Sequence, residues 1–458
     1  MVYKRTVRVI LCVLLSMLIM LMPVGIGALA DETEEFLYNG NIYYQINEQD
    51  EVVITRSRAS VTEAEIPAEI DGMAVTEIMD SAFRERTRLT TVVLPDTVRT
   101  IGDYAFHGCT RLTTVVIPDT VRIIGDYAFN QCSSLENIEI PPTVEYLGWS
   151  VLKGTPWLDA QPDGCIIAGD SILIAYKGNA PHVTVPDGVK AIAGCAFENC
   201  SSIMSVDIPG SVRIIGGLAF SGCSKLTECV IPDGTVSIGA YAFNWCTALQ
   251  KIEIADSVSS IGNHAFVGCS SLISVKLPDG LQRIEIAAFY GCTSLTKVVI
   301  PCSVKEISNE AFAGCVSLSE ITLRSTVTSV GADAFSGCTG LQKLVFFNSS
   351  CSIADSEATV APNAVIYGLR ESTAQHYAHS YSRQFVLASP LAGDINEDGK
   401  IDLNDAGEIL SLYARNGAGI LGSIRDFELL AGDMDENGAI GIEDAAKVLE
   451  IYASNGAA

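Results

Sequence analysis

The residues best placed to do chemistry lie near the end of the chain. Asp394, Asn396, Asp398, Lys400, Asp402 and Asp405 hold positions 1, 3, 5, 7, 9 and 12 of a twelve-residue loop, with Gly399 at position 6. A hard cation wants several oxygens in one small shell. This spacing supplies them from side chains, with the Lys400 carbonyl at the seventh place and a glycine for the sharp turn. Asp433, Asp435, Asn437, Ala439, Gly441 and Asp444 repeat the arrangement 39 residues later. Without a cation, such carboxylates repel one another. Two calcium ions are therefore expected. The first loop offers four carboxylates and the second three, and Gly441 leaves its place to water, so the second should bind more weakly.

The segments behind the two loops match in kind. Asp405-Ala-Gly-Glu-Ile409-Leu410-Ser-Leu412-Tyr413 parallels Asp444-Ala-Ala-Lys-Val448-Leu449-Glu-Ile451-Tyr452, and Asn-Gly follows each at 416–417 and 455–456. Apolar residues at helical spacing predict two helices with inward faces, ended by Asn-Gly. A loop followed by one helix, duplicated, with Asp at position 12, resembles a type I-like dockerin. That resemblance implies a calcium-folded plug that binds a cohesin module of a scaffolding protein, as in a cell-surface cellulosome engaged in polysaccharide breakdown. It also implies that loop positions 10 and 11 and exposed helix residues meet the cohesin. Here those are Leu403, Asn404, Leu410, Ser411 and Arg415 in the first half, and Ile442, Glu443, Leu449, Glu450 and Ser454 in the second. The halves differ at several of these places, which favours one preferred binding face. Packing of Leu403 and Ile442 within the module is the plainer alternative.

No other constellation points to catalysis. Five histidines are scattered along the chain. Gly-x-Ser-x-Gly, His-Glu-x-x-His and a phosphate loop are all missing. His376 and His379 form a His-x-x-His with no third ligand at zinc spacing. The formal net charge of −25 argues against a nucleic-acid partner, which needs a basic face. Of that acid, residues 391–458 hold 14 Asp and Glu against 4 Lys and Arg.

Most of the chain is a repeat. Ala-Phe recurs at Phe83, Phe106, Phe129, Phe197, Phe220, Phe243, Phe266, Phe289, Phe312 and Phe335, and Val151-Leu152 fills the empty slot. Nine of the ten gaps are 23 residues and one is 45. A fixed period of this size is the signature of a solenoid. Each unit reads Ala-Phe-x-x-Cys-x-x-Leu-x-x-Val-x-Ile-Pro-x-x-Val-x-x-Ile-Gly. The Val-x-Ile part alternates as a strand does, and proline ends it because it has no N–H for a ladder. The Ala-Phe-x-x-Cys part is expected to form one helical or 3₁₀ turn. Strands ~4.8 Å apart would stack eleven coils into a rod of roughly 50 Å. Across about residues 60–350 this pattern resembles the bacterial BspA-like leucine-rich repeat family, whose members are mostly surface proteins that bind other proteins, or adhesins.

The expected fold is an α+β solenoid of 23-residue leucine-rich repeats, one short parallel β-strand per coil, with a small all-α calcium-binding domain at the end. Residues 1–30 read as a signal peptide: Lys4, Arg5 and Arg8, an apolar run, then Ala28-Leu29-Ala30. No membrane attachment is expected after its cleavage. Residues 31–80 make an N-terminal cap and first repeat, with a hairpin of Tyr43–Ile46 and Val52–Thr55. The solenoid spans 81–347, a C-terminal cap 348–387, a linker 388–393 and the calcium module 394–458. The long gap is expected to be a single enlarged coil with a hairpin insert near 159–182, either a binding protrusion or a packed decoration under Trp149 and Trp157.

Nine cysteines follow the phenylalanines by three residues, from Cys109 to Cys338. A ladder residue in every coil is expected to be a buried free thiol rather than a disulfide. The outward strand column reads Val93, Val116, Glu139, Asp207, Val230, Glu253, Lys276, Val299, Thr322 and Val345. It contains no aromatic residue, so a protein ligand suits it better than a sugar. The expected whole is a secreted, extracellular, non-catalytic protein that docks on a scaffold through a calcium-dependent module. It presents a protein-binding or adhesive rod whose ligand is unidentified. The rival readings are a carbohydrate-binding component and a regulator or inhibitor of extracellular enzymes.

Overall fold

The computed structural model describes residues 35–388, 392–396, 401–417, 428, 431–434 and 439–456. The signal segment and four of the loop ligands, Asp398, Lys400, Asp435 and Asn437, lie outside the described residues.

Each coil gives a parallel strand where the Val-x-Ile alternation stands. Thr91–Val93, Thr114–Val116 and Asn137–Glu139 pair in register, offset by one repeat. A two-residue strand on the opposite side, such as Thr100–Ile101 beside Ile123–Ile124, closes the coil. The phenylalanine rings stack along the interior, with centroids 5.1 Å apart for Phe83–Phe106 and 5.2 Å for Phe106–Phe129. Apolar residues dictate this arrangement: a single coil leaves its Phe, Leu and Ile in water, and a neighbour above and below buries them.

The Ala-Phe-x-x-Cys segment is not helical. It is a turn opened by a left-handed residue two places before each Phe, as at Tyr104 (φ 56°) and His264 (φ 60°). That conformation aims alternate N–H groups at the next coil: Tyr104 N donates to Asp126 O and Phe106 N to Ala128 O, while Ala105 N and His107 N donate within the coil to Gly102 O and Tyr104 O. A helix would have spent those donors within the coil. The rod is thus a β-solenoid with little helix.

Both caps form where the sequence places them. Ile42–Ile46 and Val52–Ser57 are an antiparallel hairpin, and Val52–Ser57 runs parallel to Met73–Ile78 of the first coil. At the other end Val365–Gly368 and Phe385–Leu387 extend the long-strand ladder, with the helix Thr373–Ser380 packed on it. One outward residue turns inward: Val345 is buried, because Tyr367 of the cap lies beside it in register.

The 45-residue gap is a break in the stack rather than one enlarged coil. The first short-strand sheet ends at Tyr146–Leu147. The hairpin Gly164–Ala168 and Ile172–Lys177 then opens the next sheet, pairing with Ala191–Ile192. Tyr176 stacks on Phe197 at 5.5 Å and its N–H donates to Ala196 O, as a repeat phenylalanine would. Ala175-Tyr176 is therefore a degenerate Ala-Phe anchor, and the core divides into two hydrophobic clusters at this point. Trp149 spans the break, its indole lying over Gly194 and Gly217, where a Cβ would overlap it. Lys153 pairs with Glu198 across the same gap at 2.8 Å.

Candidate functional site

The tail folds around its two predicted helices, Leu403–Gly417 and Ile442–Gly456, which pack on each other. Ile395, Ala406, Ile409, Leu412, Ile440, Ala445 and Val448 form its core. The inward spacing foreseen for each helix is the one observed.

Each loop is closed by its position-12 aspartate. The Asp405 carboxylate is fully buried and accepts N–H bonds from Ile395 (3.0 Å), Asn396 (3.3 Å) and Asp402 (2.8 Å). Asp444, equally buried, accepts from Met434 (2.7 Å) and Gly441 (2.7 Å). In both halves the acceptor ties loop position 2 to position 9, so the two loops share one internal plan. Asp402 also caps the first helix through the Asn404 N–H at 2.8 Å. Asp394 is buried and Asp433 half-buried. The donor atoms are oxygens throughout, and buried carboxylates this close to an apolar core fit a hard cation. Among the described residues no group of three or more His, Cys, Asp or Glu side chains converges as a metal cluster. Both loop tips, 397–400 and 435–438, lie outside them.

All ten residues expected to meet a partner stand exposed: Leu403, Asn404, Leu410, Ser411 and Arg415, and Ile442, Glu443, Leu449, Glu450 and Ser454. Leu403 and Ile442 are more than half exposed, so neither packs inside the module. Two further residues belong to these surfaces. Tyr413 and Tyr452 are exposed at equivalent places, giving matched strips of Leu403, Leu410 and Tyr413 and of Ile442, Leu449 and Tyr452. Their spacing of seven and three residues marks one helix face, a signal available in the sequence.

On the rod, the outward column is solvent-facing apart from Val345, and Val116 is 72% exposed. A groove of about 710 Å³ lies on the strands Thr114–Val116 and Asn137–Glu139. Val116, Pro118 and Trp157 supply its apolar surface and Asp96, Asp119 and Glu139 its charge. Trp157 comes from the irregular segment, its N–H held by Leu135 O at 3.0 Å. An aromatic ring thus stands beside a strand column that has none of its own.

The cysteine ladder is structural. Cys109 Sγ donates to Phe83 O at 3.1 Å, and Cys132, Cys223, Cys246, Cys269, Cys292, Cys315 and Cys338 repeat the bond to the phenylalanine one coil back. Cys200 departs from it, because the coil before it is the hairpin. Burial pushes the Cys269 thiol up to about 12, which leaves it unreactive. None of the described cysteines is in a disulfide.

The family model for the BspA type leucine-rich repeat region matches residues 57–160, 174–272 and 236–358. The chain belongs to that family. Among solved structures, a leucine-rich repeat protein from Bacteroides ovatus is 25% identical, over 77% of this chain and 99% of its own, with a TM-score of 0.31. A leucine rich cell surface protein from Faecalibacterium prausnitzii is 26% identical, over 72% of this chain and 97% of its own, at a TM-score of 0.31. A leucine-rich repeat protein from Eubacterium ventriosum is 22% identical, over 66% and 95%, at 0.41. No curated protein matches the chain. The BspA-type match ends before the tail, so the tail loops are an addition to the repeat rod. Proteins with BspA-type repeats are often surface-associated or secreted, and the rod is a binding scaffold in architecture. Among the described residues no helix is long and apolar enough to cross a membrane.

Proposed function

We propose that this BspA-type protein is a non-catalytic, secreted binding rod that attaches to a scaffolding protein through a calcium-dependent dockerin-like tail. The observation that carries the reading is the duplicated tail. Two loops of one plan, each closed by a buried aspartate, stand behind two helices with matched exposed apolar strips. Exposed apolar residues in register on a small domain are an interface in waiting. Calcium would be held by Asp394, Asn396, Asp398, Lys400, Asp402 and Asp405 in the first loop. In the second it would be held by Asp433, Asp435, Asn437, Ala439, Gly441 and Asp444. When bound, it supplies charge that neutralises the clustered carboxylates. The chain's own residues do the rest: Asp405 and Asp444 hold each loop on its helix, and the apolar strips meet the cohesin.

The rod then presents its outward face to a protein ligand, since its mixture of valines and carboxylates resembles a protein interface. A second reading, a carbohydrate ligand, draws support from Trp157 beside the acidic groove. Glycan arrays against the whole chain, with the Trp157→Ala variant alongside, distinguish the two. A sugar ligand gives a signal that the variant loses, and a protein ligand gives none.

Calcium titration of the whole chain followed by calorimetry tests the metal assignment. Two events are expected, the weaker one removed by Asp444→Ala and the tighter by Asp405→Ala. A chain that takes up no calcium would contradict it.

A further inference from the structure

The turn after each long strand has its own column. Its second residue is an acid in six coils, Asp96, Asp119, Asp187, Asp233, Asp256 and Asp279, and all six are exposed. Pro142 and Gly210 interrupt the column singly, and near the end two successive coils lack the acid. Cys302 replaces the acid in one, and Arg324-Ser325 replaces the usual Pro-Asp in the next.

Asn396, at the start of the first tail loop, lies at this place. The main-chain oxygen of Asn396 accepts from Arg324 Nη1 at 3.1 Å and from Cys302 Sγ at 3.4 Å. Arg324 Nε is held at the same time by Ile300 O at 2.8 Å, which fixes the guanidinium before the tail arrives. Ser325 is only 5% exposed, although the acids in its column are all exposed.

We infer that the coils at Pro301–Val304 and Arg324–Val327 are a built seat for Asp394–Asn396, the start of the first tail loop of the same chain. The physical logic is charge. The loop carries Asp394, Asp402 and Asp405, and a regular column would set an aspartate against it at each coil. The rod removes that acid at the two coils that touch the loop and puts a cation there. A partner gripped by the tail is thereby fixed in position relative to the rod instead of swinging on a tether. The seat stands whether or not the loop takes a metal.

Cys302 is the one exposed thiol among the described cysteines, so its alkylation reports the contact. The measurement is the rate of iodoacetamide modification at Cys302 in the whole chain, read peptide by peptide, for the native protein, Arg324→Ala and Ser325→Asp. Aspartate at 325 suits the fold, because six other coils carry it. Continued protection of Cys292 and Cys315 confirms that the rod is intact. Both variants are expected to raise the Cys302 rate at least about three-fold and to enlarge the radius of gyration in solution scattering. An unchanged rate and radius in Ser325→Asp, with the buried thiols still protected, overturns the seat.

Discussion

Asp126 shows what a repeat does to a single side chain. Asp80 Oδ1 accepts the Asp103 N–H, Asp103 Oδ1 that of Asp126, and Asp126 Oδ1 that of Trp149. Stacking places like charges above one another. The Asp126 carboxyl is pushed up to about 6, chiefly by burial, with Asp103 adding to the rise and the Trp149 N–H opposing it. A carboxyl that binds its proton more tightly folded than unfolded favours the fold at low pH. That contribution is whole below the ordinary carboxylate range, about pH 4, and is lost as pH rises through 6. Later coils avoid the cost with Asn263 and Asn309, whose Oδ1 atoms accept the same N–H bonds. Asp126→Asn is therefore expected to stabilise the protein at pH 7.5 by about 1–2 kcal/mol and to flatten its melting temperature between pH 4 and 7. An equal loss of stability at both ends of that range would mean that ionisation of Asp126 does not matter there and that its other contacts do.

At the scale of the element, the aromatic stack and its break make opposite demands. In the middle of the second stack, Phe243, Phe266 and Phe289 have centroids 5.4 and 5.2 Å apart and near-parallel rings. Phe266→Ala empties a site between two coils and should cost about 3–5 kcal/mol in chemical denaturation. At the break, Gly194→Ala drives a methyl group into Trp149 and should cost about 1–3 kcal/mol, although the side chain is small and apolar. A neutral Gly194→Ala would show that the indole is free to leave.

These elements also show what the sequence made legible. The 23-residue period, the caps and the tail helices were readable because each rests on local spacing. The second anchor within the gap was not. Ala175-Tyr176 puts tyrosine in the phenylalanine slot, 24 residues after Leu152 and 21 before Phe197, so a strict period passes over it. The Ala-Phe-x-x-Cys segment reads as a helical or 3₁₀ turn because the coil-to-coil hydrogen bonds that straighten it are invisible within one repeat. Val345 turned inward because a cap residue covers it. Trp157 could not be assigned to the outward groove from spacing, since its segment follows no period. The contact of Asn396 with Cys302 and Arg324 joins residues 94 and 72 apart in unrelated patterns. Only Arg324 in place of the usual proline hints at it.

The whole molecule is an acidic rod with an acidic plug, at a net charge of −25. Its parts divide the work by stability. The rod is one long core in two sections, and the tail is a small module with a core of seven buried side chains among the described residues. A core that small needs a staple, and two bound cations would be one. On the proposed reading, the tail is where calcium would switch attachment without disturbing the binding surface. The measurement that tests this most directly is calorimetry of the whole chain against a panel of cohesins, first with calcium and then with chelator. The account predicts tight binding to at least one cohesin that disappears with chelator and is weakened by Leu410→Ala with Leu449→Ala. Calcium-induced folding of the tail with no binding to any cohesin would contradict it, leaving a calcium-stabilised cap on a free surface rod.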